Sequence, residues 1–244
     1  MPNYICMPGK SSSFKVQSWE NWDETRMRTL ASNDTFICFY DGAEGEDEVG
    51  LGCGLTGADA TITDGGGVAI PAATGTPLYR SLTTSNQWFS ASDAICNIIA
   101  GEPQWTLILK ANIANTTAYA MELQDTGYQL DYVVYNREFH LVDADNTSET
   151  QSCTDYMYAT NINYLSFWCD GTVTRAGFTT TRPTLSSHFT ANSRVEFTKL
   201  FDNFATFSSG QYFQLAGISS LAYGQTMKVY YSLISRKCLI TNDD

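Results

Sequence analysis

Residues 165–177 read LSFWCDGTVTRAG, and this run decides the fold. Side chains alternate across an extended strand, so Leu165, Phe167 and Cys169 share one face while Ser166 and Trp168 share the other. Asp170 and Gly171 then read as the two central residues of a type I′ hairpin turn, which needs positive φ at both; Asp tolerates that conformation and Gly has no steric cost there. On this reading Asp170 is a corner and not a metal ligand or an acid. Replacing Gly171 with Val is expected to lower stability.

The same period of two extends outward in both directions. In WTLILKANI (residues 105–113), Trp105, Leu107, Leu109, Ala111 and Ile113 lie on one face, with Thr106, Ile108, Lys110 and Asn112 on the other. YAMELQD sets Tyr119, Met121 and Leu123 against Ala120, Glu122 and Gln124, the pattern of a half-buried antiparallel strand. YQLDYVVYN follows the turn residues Thr126 and Gly127, and REFHLVD, SRVEFTKL and QYFQLAG follow in turn. In the last segment, TMKVYYSLIS, Met227, Val229, Tyr231 and Leu233 alternate with Thr226, Lys228 and Tyr230. About eight strands joined by short loops argue for a meander folded into a sandwich, not for βαβ units.

Helical signals are few. SASDAICNIIAGEP places Ala94, Ile95, Ile98 and Ile99 on one face, with Ser90 or Ser92 as cap and Gly101 as stop. VQSWENWDETRMRTLAS carries Val16, Trp19, Trp22, Met27 and Leu30 at imperfect helical spacing. The chain therefore divides into an N-terminal arm with a short helix, residues 1–34, and one β-domain, residues 35–244. The fold class is all-β, a sandwich of two antiparallel sheets with one or two short helices.

Composition bounds the function. Apolar residues make up 43% of the 244 residues and aromatic residues 13%, enough for a sizeable core, while charged residues are only 16%. The net charge of −12 and the scattered Lys and Arg argue against nucleic acid and against an anionic membrane surface. No apolar run is long enough to span a bilayer and the N-terminus has no signal-like stretch, so synthesis in a host cytoplasm without a signal peptide is expected. Seven cysteines, none in a Cys-x-x-Cys or Cys/His cluster, read as reduced thiols and give no zinc site.

Taken together, WTLILKAN, the meander, the Asp-Gly hairpin and the ending FQLAGISSLAYGQTMKVYYSLIS resemble a concanavalin A-like lectin/glucanase domain of the laminin-G type. The resemblance spans roughly residues 35–240 and implies a jelly-roll sandwich. Such domains are frequent in bacteriophage tail, fibre and capsid-decoration proteins, so it implies a non-enzymatic virion structural subunit that partners other virion proteins and assembles as a homo-oligomer. The arm residues Trp19, Trp22 and Met27 would dock on a neighbouring subunit. A carbohydrate-binding module directed at host glycans is the alternative.

Enzymes of this family carry Glu-x-Asp-x-Glu on one strand, so that three carboxylates point into one face. The nearest spacing, Glu44, Glu46 and Glu48 in YDGAEGEDEVG, is broken by glycines and reads as a solvated loop; a glycosidase or lyase would need converging carboxylates that the sequence does not display. Asp41, Glu44, Asp47 and Glu48 offer hard oxygen ligands without EF-hand spacing. Asp143, Asp145, Asn146 and Glu149, in LVDADNTSETQSC, form the second acidic loop, read as a polar loop with calcium or sugar contact as its alternative role. No catalytic residues, metal site or cofactor are assigned, calcium being the one ion these loops leave open. Sugar recognition uses flat aromatic faces with amide and carboxylate groups, which points to Trp168 and to Tyr230 on the outward parity of the last strand.

Overall fold

Period-two patterning gives antiparallel strands, and their pairing gives two layers. The computed structural model describes residues 35–39, 60–64, 74–75, 79–82, 87–91, 99–113, 119–125, 128–134, 136–142, 147–157, 160–201, 212–215 and 227–242. The expected arm with Trp19, Trp22 and Met27, the acidic loop 41–50, and Asp143, Asp145 and Asn146 lie outside these residues.

Fourteen strands are present among the described residues, against the eight or so expected: β1 Thr35–Phe39, β2 Ala60–Asp64, β3 Arg80–Leu82, β4 Gln87–Ala91, β5 Trp105–Ile113, β6 Tyr119–Asp125, β7 Tyr128–Val133, β8 Glu138–Val142, β9 Ser148–Ser152, β10 Asn163–Cys169, β11 Thr174–Thr179, β12 Arg194–Glu196, β13 Tyr212–Leu215 and β14 Met227–Ser235. The extra ones are short or polar, such as Ser148–Ser152, SETQS, and carry no apolar stripe to read. Ser90 lies within β4 and so is not a helix cap; residues 92–98 of that expected helix lie outside the described residues, and within them Ile99 is buried and Gly101 has φ of 73°. The described residues hold a 3-10 turn at Ser186–His188 and no α-helix.

One seven-stranded sheet runs β1-β14-β5-β10-β11-β12, with β3 beside β1 on the same edge of β14; the other runs β2-β4-β13-β6-β7-β8-β9. Every strand pair is antiparallel. Between the sheets lie Trp105, Leu107, Leu109, Ala111, Leu165, Phe167 and Cys169 from the first and Met121, Leu123, Leu130, Tyr132, Phe139 and Leu141 from the second, all essentially free of solvent. Phe139 meets Phe167 edge to face at 5.3 Å across the interface. Each large apolar side chain sealed here contributes about 1.5–3 kcal/mol.

The first sheet is covered on its outer side as well. Ile108, Tyr164, Trp168, Tyr231 and Leu233 form a second apolar cluster beneath Phe189 and Ile240. The cover is the segment around Ser186–His188 and the tail after β14, joined by a parallel bridge between Leu185 and Thr241. Thr106 fastens the tail: its hydroxyl donates to the Lys237 carbonyl at 2.8 Å and accepts from Leu239 N–H at 2.9 Å.

This second layer overturns several expectations. Trp168 does point away from the central core, but it is 0% exposed and stacks on Phe189 at 4.9 Å. It is packing and offers no open face to a sugar. Tyr230 is 7% exposed, with its ring 5.6 Å from that of Tyr79 and the Lys110 ammonium 5.6 Å from its centroid. Tyr231 and Leu233 do not share the face of Met227 and Val229, because the register shifts between Val229 and Tyr231. One extra residue in a strand reverses the parity of everything after it.

The hairpin at Asp170 also differs from a type I′ turn. Gly171 has φ of 90°, but Asp170 is not among the positive-φ residues, so the two-residue loop is Gly171–Thr172. Asp170 stands one place earlier, and its Oδ1 accepts from the N–H groups of Thr172 at 2.8 Å and Val173 at 2.9 Å. Arg175 Nη1 donates to Asp170 Oδ2 at 2.6 Å. Burial opposes the charge, but the bonds from Thr172 and Arg175 outweigh it and hold the Asp170 carboxyl well below the usual carboxylate range. Asp170 is thus a structural corner through its side chain. At Gly171 a β-branched residue would be forced into a positive-φ conformation, so Gly171→Val is expected to cost about 1–3 kcal/mol, read as a lower denaturant midpoint with unchanged slope.

Candidate functional site

The second sheet buries one face in the sandwich and turns the alternate residues the other way. Register places three titratable residues in one row on that outer face: Glu122 of β6 opposite Asp131 of β7, and Asp131 opposite His140 of β8. The row continues to Thr150 of β9 on one side and to the positions of Gln214 and Ser90 on the other. Each of the three is flanked in its own strand by core residues, Met121 and Leu123, Leu130 and Tyr132, Phe139 and Leu141, which fixes which way it points.

The side chains are connected. His140 Nδ1 lies 3.0 Å from Asp131 Oδ1, and His140 Nε2 lies 3.5 Å from Glu138 Oε2. Asn136 Nδ2 donates to the same Glu138 oxygen at 2.9 Å. Gln129 Nε2 donates to Asp131 Oδ2 at 2.5 Å and to Glu122 Oε1 at 3.3 Å, so the two carboxyls lie within two hydrogen bonds of each other. Glu122 Oε2 is buried and has no partner.

Burial grades the row from floor to surface. Glu122 and Asp131 are 2% and 0% exposed, whereas the side chains of His140 and Glu138 are 26% and 28% exposed. Burial, and then the Asp131 charge, push the Glu122 carboxyl up to about 8. The bond to Asp131 raises the His140 imidazole above its ordinary value despite partial burial. A neutral acid, a carboxylate and an imidazole with cationic tendency therefore stand side by side.

The turn between β7 and β8 adds an aromatic surface. Arg137 has φ of 60°, uncommon for a residue other than glycine. Its carbonyl accepts from Cys153 N–H at 2.8 Å and its Nη1 donates to the Thr154 carbonyl at 2.9 Å. The guanidinium lies 4.3 Å from the centroid of Tyr156, which at 53% is the most exposed large aromatic among the described residues.

Sequence reasoning missed this constellation, finding no converging carboxylates displayed along the chain; the structure brings Glu122 and Asp131 together from neighbouring strands, where a search for spacing along one strand could not find them. The signal was two polar residues at outward parity in each of YAMELQD, YQLDYVV and REFHLV. Glu149, by contrast, is fully used, accepting from Thr198 N–H and hydroxyl and from Lys199 N–H. Among the described residues no group of three His, Cys, Asp or Glu side chains is arranged to hold a metal ion.

No family model matches the chain, and no curated protein matches it in sequence. Solved structures do match in fold. Domain 4 of AbnA, an extracellular GH43 arabinanase of Geobacillus stearothermophilus, is similar with a TM-score of 0.57 at 12% identity, covering 84% of this chain and 93% of that domain. The sialidase of Trypanosoma rangeli is similar with a TM-score of 0.53 at 9% identity over 90% of this chain, which spans 35% of the sialidase. Pairing, layering and these likenesses agree on the fold: the chain is an all-β sandwich of two antiparallel sheets.

Proposed function

We propose that this chain is a carbohydrate-binding module whose site is the outer face of the second sheet at the β7–β8 end. The observation that carries this reading is the chain of contacts from solvent inward: Asn136 to Glu138, Glu138 to His140, and His140 to the buried Asp131. Exposed amide, carboxylate and imidazole groups, held by a buried carboxylate, present fixed donors and acceptors to hydroxyl groups. Tyr156, exposed and held against Arg137 of the β7–β8 turn, is the flat ring at this end of the sheet. The AbnA domain of similar fold is described in complex with arabinotriose, which supports looking to short oligosaccharides.

We read the chain as a binder and not an enzyme. Hydrolysis of a glycosidic bond needs two carboxyl groups flanking that bond. Here both converge on one nitrogen, that of Gln129, instead of standing on opposite sides of a bond.

A glycan array followed by calorimetric titration tests the proposal. His140→Ala and Glu138→Ala are each expected to weaken binding about tenfold or more, by loss of one charge-assisted hydrogen bond. Full affinity in both variants, or no glycan bound at all, would refute the assignment.

Display of this module on a virion, as a capsid-decoration, head-fibre or tail subunit, is the second reading. It is supported by the low content of charged residues, 16% of the chain. Detecting the chain by mass spectrometry in purified particles, and its absence from them, are the two decisive outcomes.

A further inference from the structure

We infer that the ligand of this face carries a primary ammonium group, as in an amino sugar with its amine free, and that Glu122 and Asp131 are the counter-ions for it. This rests on the glycan reading and narrows it to one class of sugar.

Glu122 and Asp131 are directly opposed on adjacent antiparallel strands, an arrangement in which like charges oppose each other at close range. Both are sealed from water, which removes the screening that would make such a pair tolerable. The outward positions of β6 to β9 hold no Lys or Arg, and the Arg137 guanidinium on the β7–β8 turn faces Thr154 and Tyr156. His140 stands beside Asp131 at 3.0 Å, but no described cation pairs with Glu122.

What it has is a neutral substitute. The Gln129 amide nitrogen sits between the two carboxyls and donates to both, and Gln129 itself is half-buried, the most exposed of the three residues. Glu122 Oε2 is left with no donor. An amide nitrogen has two N–H groups; an ammonium has three and carries a charge. A ligand ammonium replacing that nitrogen would serve Asp131 Oδ2 and Glu122 Oε1 and have one N–H left for Glu122 Oε2. Hydrogen bonds with both partners ionised are the stronger kind. An N-acetylated sugar has a single neutral N–H at the same place, and an acidic sugar would be repelled.

A proton is linked to this exchange. With no ligand bound, Asp131 is ionised beside the His140 imidazole and the proton of the opposed pair stays on Glu122; once the ammonium is bound, that proton leaves to solvent and both carboxyls are ionised. The raised Glu122 carboxyl agrees with this state of the free protein.

The test is calorimetric titration of the full chain at pH 6.5 with a trimer of β-1,4-linked glucosamine and with its fully N-acetylated counterpart, each in two buffers of different ionisation enthalpy. The amino trimer is expected to bind roughly tenfold tighter or more, releasing about one proton per site. In Glu122→Gln the ratio of the two affinities is expected to fall to about one, its folding checked by its melting temperature. Equal affinities with no proton release in the wild type would overturn the inference. If, in that case, the N-acetylated trimer still binds and loses affinity in His140→Ala, the glycan reading survives alone; binding of neither trimer, with a blank glycan array, overturns both.

Discussion

Replacing Glu122 by Gln is expected to raise stability, by about 2–4 kcal/mol at pH 8, an order-of-magnitude figure from the linkage between pKa shifts and folding. The Glu122 carboxyl lies near 8 in the folded chain against an ordinary value of 4.5. Between those values the folded state holds a proton that the unfolded state has released, so stability falls as pH rises through this window. The contribution is complete below about pH 4.5 and gone above about pH 8. Gln keeps the shape and removes the charge in both states. Melting curves from pH 5 to 9 read the effect directly: the wild type should lose stability towards alkali, and the variant should lose less. Some slope should remain, because the raised His140 imidazole also favours the folded state below its own titration and ceases to do so above it. Asp170 works in the other direction and at the acid end, where protonating its lowered carboxyl removes the Arg175 pairing. A variant no more stable than the wild type at pH 8 would show that Glu122 is well solvated.

A buried acid that weakens the fold is a local inconsistency, and such inconsistencies concentrate at sites with a task. Its neighbours support that view. Asp131 and Gln129 could have been replaced by a well-packed apolar pair at little cost, yet they hold an open-ended network that reaches solvent at Glu138 and Asn136. The strained backbone of Arg137 lies on the same turn.

Much of this was legible in the sequence, for identifiable reasons. The inward sets Trp105, Leu107, Leu109 and Leu165, Phe167, Cys169 are apolar at strict period two, and both sets lie in the central core. The row on the second sheet was also legible but went unread. Two turn residues, Thr126 and Gly127, suffice to set Asp125 opposite Tyr128 and therefore Glu122 opposite Asp131. Counting pairs across that turn would have found the carboxyls; searching one strand for them could not. The bulge at Tyr230 was not legible, because TMKVYYSLIS alternates acceptably in either parity. Nor was the cover on the first sheet, which depends on residues 186–189 and 236–241 returning over strands far away in sequence.

Trp168 is where that last failure has the largest consequence. Alternation placed it on the face away from Leu165 and Phe167, and an outward Trp on a half-buried sheet is a good sugar platform. The sheet is instead buried on both sides, with Trp168 among the largest fully buried side chains. Trp168→Ala would remove the ring from between β10 and Phe189, leaving a cavity under the Ile240 tail. The expected cost is about 3–5 kcal/mol, a large part of the stability of most domains. Trp168→Phe separates the two roles of the indole. It keeps an aromatic ring against Phe189 and removes a buried Nε1 that has no hydrogen-bond partner, so it should cost under about 1.5 kcal/mol. Denaturant unfolding of the two variants measures this contrast. Sugar affinity, measured under conditions where each variant is folded, should match the wild type in both, because the proposed binding face lies on the other sheet. A Trp168→Ala chain of unchanged stability and lost sugar affinity would reverse the assignment, returning recognition to the first sheet and removing the case for His140 and Glu138.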